Sequence, residues 1–125
     1  MATRSITRVM VVEDSKEFQE VLILTLSLEP YVKVVHIADS GEEALRSLET
    51  ASPDLVLLDF RLPGIDGLET ARRIKKQRPN TTIALVTAYA DEVSKRAYEE
   101  GNVNGVIPKS SFSLTRIREL LQRGS

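Results

Sequence analysis

Four aliphatic residues in a row, Leu55-Val56-Leu57-Leu58, end on a carboxylate, Asp59, with turn residues following at Pro63-Gly64. A short apolar run without alternation reads as a strand covered on both faces, the condition of a parallel sheet between two layers of helices. A carboxylate at the end of such a strand costs free energy unless something pairs with it. Either Asp59 caps the turn, or the strand carries a charge to a site.

The rest of the chain repeats that unit. Val9 to Val12 is an apolar run that stops at Glu13-Asp14, followed by Phe18, Val21, Leu22, Thr25 and Leu28 at helical spacing and ended by Pro30. Val32 to Ile37 is a β-branched strand. Ser40 with Glu43 has the form of a capping box and opens a helix through about Leu48. Asp66 with Glu69 repeats that form ahead of Leu68, Ala71 and Ile74. Thr82 to Val86 is a fourth strand, and Asp91 to Glu100 a helix closed by Gly101. Val106-Ile107 is a short fifth strand, and Leu114, Ile117, Leu120 and Leu121 mark a last helix. The alternation predicts an α/β fold, a doubly wound five-stranded parallel sheet.

A chain of 125 residues is expected to form one domain over 1–125, with a real core. At 42% apolar and 28% charged, it has the composition of a soluble globular protein. Seventeen basic residues against eighteen acidic ones give a formal net charge of −1, without the basic excess of a nucleic-acid footprint. With no cysteine there is no disulfide frame and no thiolate metal site. The first apolar run is too short for a signal peptide or a membrane span, so the expectation is a cytoplasmic protein.

In an open parallel sheet, ligands bind beyond the carboxyl ends of the strands. Those ends carry Glu13 and Asp14 after the first strand, Asp59 after the third, Thr87 after the fourth and Lys109 after the fifth. Carboxylates packed together repel unless a hard cation sits among them, and Mg²⁺ suits a site of few carboxylates, waters and a phosphate oxygen. A lysine supplies a point charge, and a threonine hydroxyl can donate to a phosphoryl oxygen. A carboxylate can also attack phosphorus and form an aspartyl phosphate with no base, since it has no proton to lose. Positioning and charge neutralisation then do most of the catalysis. On that reading Asp59 is a phosphate acceptor.

The stretches VVEDS at 11–15, SGEEAL at 40–45, DLVLLDFRLPGIDGLE at 54–69, LVTAYAD at 85–91 and GVIPKS at 105–110 together resemble the response-regulator receiver domain, the flavodoxin-like, CheY-like fold. EVLILTLSLEPYVKVVHIADSGEEAL and DGLETARRIKKQRP are most similar to receivers of LuxR-type transcription regulators. The resemblance implies the sheet order 2-1-3-4-5. It implies that Glu13, Asp14 and Asp59 hold Mg²⁺ with the backbone carbonyl of Arg61. It further implies that Asp59 accepts a phosphoryl group from a sensor histidine kinase or phosphotransfer protein, while Thr87 and Lys109 contact that group and hydrolysis is slow. Implied partners also include a downstream protein or an effector domain absent from this chain, and a homodimer on phosphorylation. Phe18 and Leu22 would face the kinase's helical domain.

Plainer readings stand beside these. Asp14 or Ser15 serves as a helix N-cap, His36 is structural, and Arg72, Arg73, Lys75, Lys76 and Arg78 form the wet face of an amphipathic helix. The chain departs from the family pattern at three places. Val106 occupies the position of an aromatic switch, which leaves Tyr89 or Phe112 as substitutes. The loop from Gly101 to Gly105 is a residue longer than usual. Ser110 follows Lys109 where proline is usual, yet a cis Lys109–Ser110 bond is still expected. An aspartate-nucleophile phosphohydrolase would need a second acid where Arg61 stands. A receiver-like module that signals without phosphate stays open because of Val106.

Overall fold

In a computed structural model that describes residues 5–124, the elements alternate throughout. They run β1 (Thr7–Val12), α1 (Lys16–Ser27), β2 (Val32–Ala38), α2 (Gly41–Ala51), β3 (Leu55–Leu58), α3 (Gly67–Gln77), β4 (Thr82–Thr87), α4 (Ala90–Glu100), β5 (Gly105–Pro108), a 3₁₀ turn (Lys109–Ser111) and α5 (Leu114–Gly124). The strands form one parallel sheet in the order β2-β1-β3-β4-β5. Successive residues of a strand point to opposite faces. Met10, Val12, Val56, Leu58, Ile83 and Leu85 accordingly pack under α2, α3 and α4, and Val9, Val11, Leu55, Leu57, Ala84 and Val86 under α1 and α5. All four residues of β3 are buried, as an apolar run without alternation demands. Each fully buried Leu or Val contributes about 1.5–3 kcal/mol.

Side chains open α1, α2 and α3 as their sequence implies. Ser15 Oγ accepts from the Phe18 N–H, Ser40 Oγ from Glu43 and Asp66 Oδ1 from Glu69. The capping boxes are half made. Glu43 turns to His36 (2.8 Å) and Ser47 (2.7 Å), and Glu69 to Arg72 and Arg73, whose guanidinium groups hold its carboxyl down to about 2. His36 is therefore structural.

Several expectations shift. The first helix ends at Ser27, ahead of Pro30, and α2 runs on to Ala51. Ser52 closes α2 with φ 46, a left-handed conformation that serine seldom takes. Arg8, remote in sequence, explains it: its guanidinium donates to the carbonyls of Ala51 (2.7 Å) and Ser52 (3.1 Å), the groups a helix end leaves unpaired. The wet face of α3 is only partial, because Lys75 reaches the Thr81 carbonyl and Arg78 reaches Ser52. Leu22 is buried, so it is not a docking contact; the exposed apolar side chains of α1 are Val21 and Leu24.

Candidate functional site

Strand register sets the site. Val12 pairs with Leu58, so the next residues, Glu13 and Asp59, leave adjacent strands side by side. The Asp59 N–H continues that ladder to the Val12 carbonyl at 3.1 Å. Thr87 pairs with Pro108, which places Lys109 one residue beyond it. Glu13, Asp14 and Asp59 each offer an oxygen within 4.8 Å of the others. Glu13 and Asp59 are buried while Asp14 faces solvent, so the cluster has a floor and an open rim.

The Lys109 ammonium lies between the two buried acids, 2.8 Å from Glu13 Oε1 and 3.0 Å from Asp59 Oδ2. Burial pushes the Glu13 carboxyl up, and the hydrogen bonds from Lys109 and the Ser15 N–H only partly offset it. Burial opposes the Lys109 charge, but its bonds to Glu13 and Asp59 outweigh that and raise its pKa. Asp59 Oδ1 is the one buried side-chain oxygen among the described residues without a hydrogen-bond partner. A buried, unpaired carboxylate oxygen is costly, and an oxygen-seeking cation beside two further carboxylates would remove that cost. The donor set fits Mg²⁺.

Thr87 is fully buried at the end of β4, and its Oγ1 accepts the Tyr89 N–H at 3.1 Å. The hydroxyl proton is thus left for another acceptor. Tyr89 is half-buried, with the Arg61 guanidinium 4.2 Å above its ring. Phe112 lies on the other side of the sheet, edge-on to Phe18, whereas Tyr89 and Val106 pack against the same core cluster. Of the two substitutes for the missing aromatic, Tyr89 is therefore the one on the right face.

The expected cis Lys109–Ser110 bond is absent, since no peptide bond among the described residues is cis. The 3₁₀ turn at Lys109–Ser111 makes the bend, after Pro108 at φ −62, and the ammonium reaches Asp59 without the roughly 3 kcal/mol of a cis peptide. Sequence reasoning also missed Tyr98, whose hydroxyl accepts the Val106 N–H at 3.2 Å along the edge strand. An edge strand leaves such a donor in need of a partner, and that is the signal that could have found it.

The family model for the response regulator receiver domain matches residues 9–122. This chain belongs to the response-regulator receiver family. It is 38% identical over 122 residues to protein-glutamate methylesterase/protein-glutamine glutaminase 1 of Syntrophus aciditrophicus, covering 92% of this chain and 35% of that protein. The chain thus spans about a third of that relative. A LuxR-family response regulator from Aurantimonas sp. has the same fold at a TM-score of 0.85 and 29% identity, covering 96% of this chain and 87% of that one. The response regulator TrrA of Thermotoga maritima, solved with Mg²⁺ and BeF, is 32% identical at a TM-score of 0.79, covering 96% of this chain and all 100% of the other. The receiver is thus a phosphorylation switch of two-component signalling. Among the described residues no helix is long and apolar enough to cross a membrane.

Proposed function

We propose that Asp59 is the phosphoacceptor of this receiver and that the chain acts as a single switch domain, without turnover of any other substrate. The observation that carries this is the state of the Asp59 carboxylate. One oxygen is held by Lys109 and the other is buried with no partner. The unpartnered oxygen is left to the cation, and the oxygen that Lys109 holds is the nucleophile. It forms a bond to phosphorus as the bond from phosphorus to the donor's histidine nitrogen, or to another leaving group, breaks. The Lys109 ammonium and the Thr87 hydroxyl donate to the phosphoryl oxygens. Mg²⁺ on Glu13, Asp14, Asp59 and the Arg61 carbonyl would neutralise the gathered charge. The Mg²⁺ and BeF reported for TrrA support this ligand class. The partners are a sensor histidine kinase or phosphotransfer protein, and a downstream protein or effector domain.

Incubation with acetyl phosphate and Mg²⁺, read by intact mass, tests the acceptor. The wild type gains one phosphoryl group and Asp59→Asn gains none; an equal gain in the variant places the acceptor elsewhere.

The Arg61–Tyr89 stack stands next to Thr87, whose Oγ1 accepts the Tyr89 N–H. Tyr89→Ala is expected to shorten the phosphoryl lifetime several-fold by opening a path for water, with partner binding unchanged. Lost binding at an unchanged lifetime would make Tyr89 the relay in place of the missing aromatic at Val106.

A further inference from the structure

The Lys109 ammonium has a third neighbour besides the two acids. The face of the Phe18 ring lies 4.5 Å from Lys109 Nζ, measured to its centroid. Resting on the phosphoacceptor reading above, we propose that Phe18 is a positioning residue that keeps Lys109 aimed at the phosphoryl group while both of its acidic partners change charge. A lysine stem is long and flexible, so its ammonium goes where charge pulls it. In the resting site that pull comes from Glu13 and Asp59. Neither partner is constant. A divalent cation on the carboxylates competes for both, and phosphorylation turns the Asp59 carboxylate into an acyl phosphate whose charge has moved outward. The negative face of an aromatic ring is the same before and after, and it attracts a cation in each state.

The ring is itself held in place. The Phe18 N–H is capped by Ser15 Oγ at 3.3 Å, and the Ser15 N–H binds Glu13 Oε2 at 3.0 Å. Phe112 meets the ring in an edge-type contact, with centroids 6.4 Å apart and planes at 66°. Phe112 follows the 3₁₀ turn that Lys109 opens. The first turn of α1 and the residue after the 3₁₀ turn thus hold the one ring that faces the ammonium. Of the two α1 residues expected to face the kinase, Phe18 is the one whose ring turns inward to the site.

Phe18→Met and Phe18→Tyr separate a ring face from mere volume. The first measurement is the NMR shift of the Lys109 ε-methylene protons in the free protein, which a ring face displaces upfield. That displacement is expected to vanish in Phe18→Met and persist in Phe18→Tyr; if it persists in Phe18→Met, the inference is overturned. The second is beryllofluoride binding with Mg²⁺, a probe that needs no docked partner. Phe18→Met should bind it about fivefold more weakly, as for loss of one cation–π contact, with Mg²⁺ affinity alone within twofold of the wild type and Phe18→Tyr restoring the loss. Equal weakening in Phe18→Tyr, or a matching fall in Mg²⁺ affinity, reduces Phe18 to packing and overturns the proposal. A wild type that takes up no beryllofluoride overturns the phosphoacceptor reading instead, while the proton shift still decides the geometry.

Discussion

Gly67→Ala is expected to lower the stability of this domain by about 3 kcal/mol, the upper end of the usual range for overpacking, and to impair phosphorylation together with folding. A Cβ at Gly67 would collide with the Asp59 carbonyl oxygen and lie 2.8 Å from the Phe60 Cα. Both are backbone, and the backbone in question is the segment that presents the acceptor. The Gly67 N–H also donates to the Phe60 carbonyl at 2.7 Å, so α3 begins hard against the end of β3. Relief requires the two to separate, which moves Asp59 away from Lys109. Gly101→Ala is the control. Gly101 has φ 75 but nothing within 4 Å of an added Cβ, so alanine there meets only left-handed strain of about 1–2 kcal/mol, far from the site. Thermal melts should place Gly67→Ala roughly 10 °C below the wild type, with slowed uptake from acetyl phosphate. Gly101→Ala should melt lower but phosphorylate at the normal rate. A Gly67→Ala protein that melts and phosphorylates like the wild type would mean that α3 can withdraw without disturbing Asp59.

The fold was legible in the sequence because its signals are periodic and local. The buried run Leu55–Leu58, the caps Ser40 and Asp66, and Gly101 closing α4 each act within a few residues. The acids and Lys109 were legible because a parallel sheet fixes where strand ends go. What escaped notice depends on contacts between distant segments. Ser52 takes a left-handed conformation under Arg8, and β2 slips register against β1 between Val9 and Met10. Leu22 faces inward while Val21 faces out, a distinction of one helical step that apolar spacing alone did not resolve. The trans bond after Lys109 shows the limit of likeness. A family habit suggested cis, but the chain makes its bend with a 3₁₀ turn. Phe18 over Lys109 could not have been read at all, because it joins residues of α1 and the turn after β5.

Lys109→Met should have the largest effect on stability within the site, and that effect should depend on both Mg²⁺ and pH. Methionine keeps an apolar stem against Phe18 but leaves Glu13 and Asp59 facing each other without a cation. Removing one partner of a fully buried ion pair costs about 3–5 kcal/mol. Lys109 is a quarter exposed, so the loss here should be near the lower end, about 3 kcal/mol at neutral pH without metal. The sign with pH follows from Glu13. Its carboxyl already titrates above the ordinary value, and removing the Lys109 hydrogen bond raises it further. A carboxyl whose folded pKa exceeds its unfolded one holds its proton more tightly in the native state. Stability therefore falls as pH rises from the unfolded value through the folded one, and returns as pH falls. The gap between variant and wild type should narrow toward pH 5. Mg²⁺ binds the folded cluster and stabilises it by mass action, about 2.7 kcal/mol at a hundred times the dissociation constant. Without an ammonium competing for the same carboxylates, Mg²⁺ should raise the melting temperature of Lys109→Met more than that of the wild type. Asp14→Ala, which removes a carboxylate from the open rim, should lose most of the rise. Equal Mg²⁺ shifts in all three proteins would show that the cation binds elsewhere. A Lys109→Met deficit that stays constant from pH 5 to neutrality would show that the ammonium holds Glu13 by packing rather than by charge.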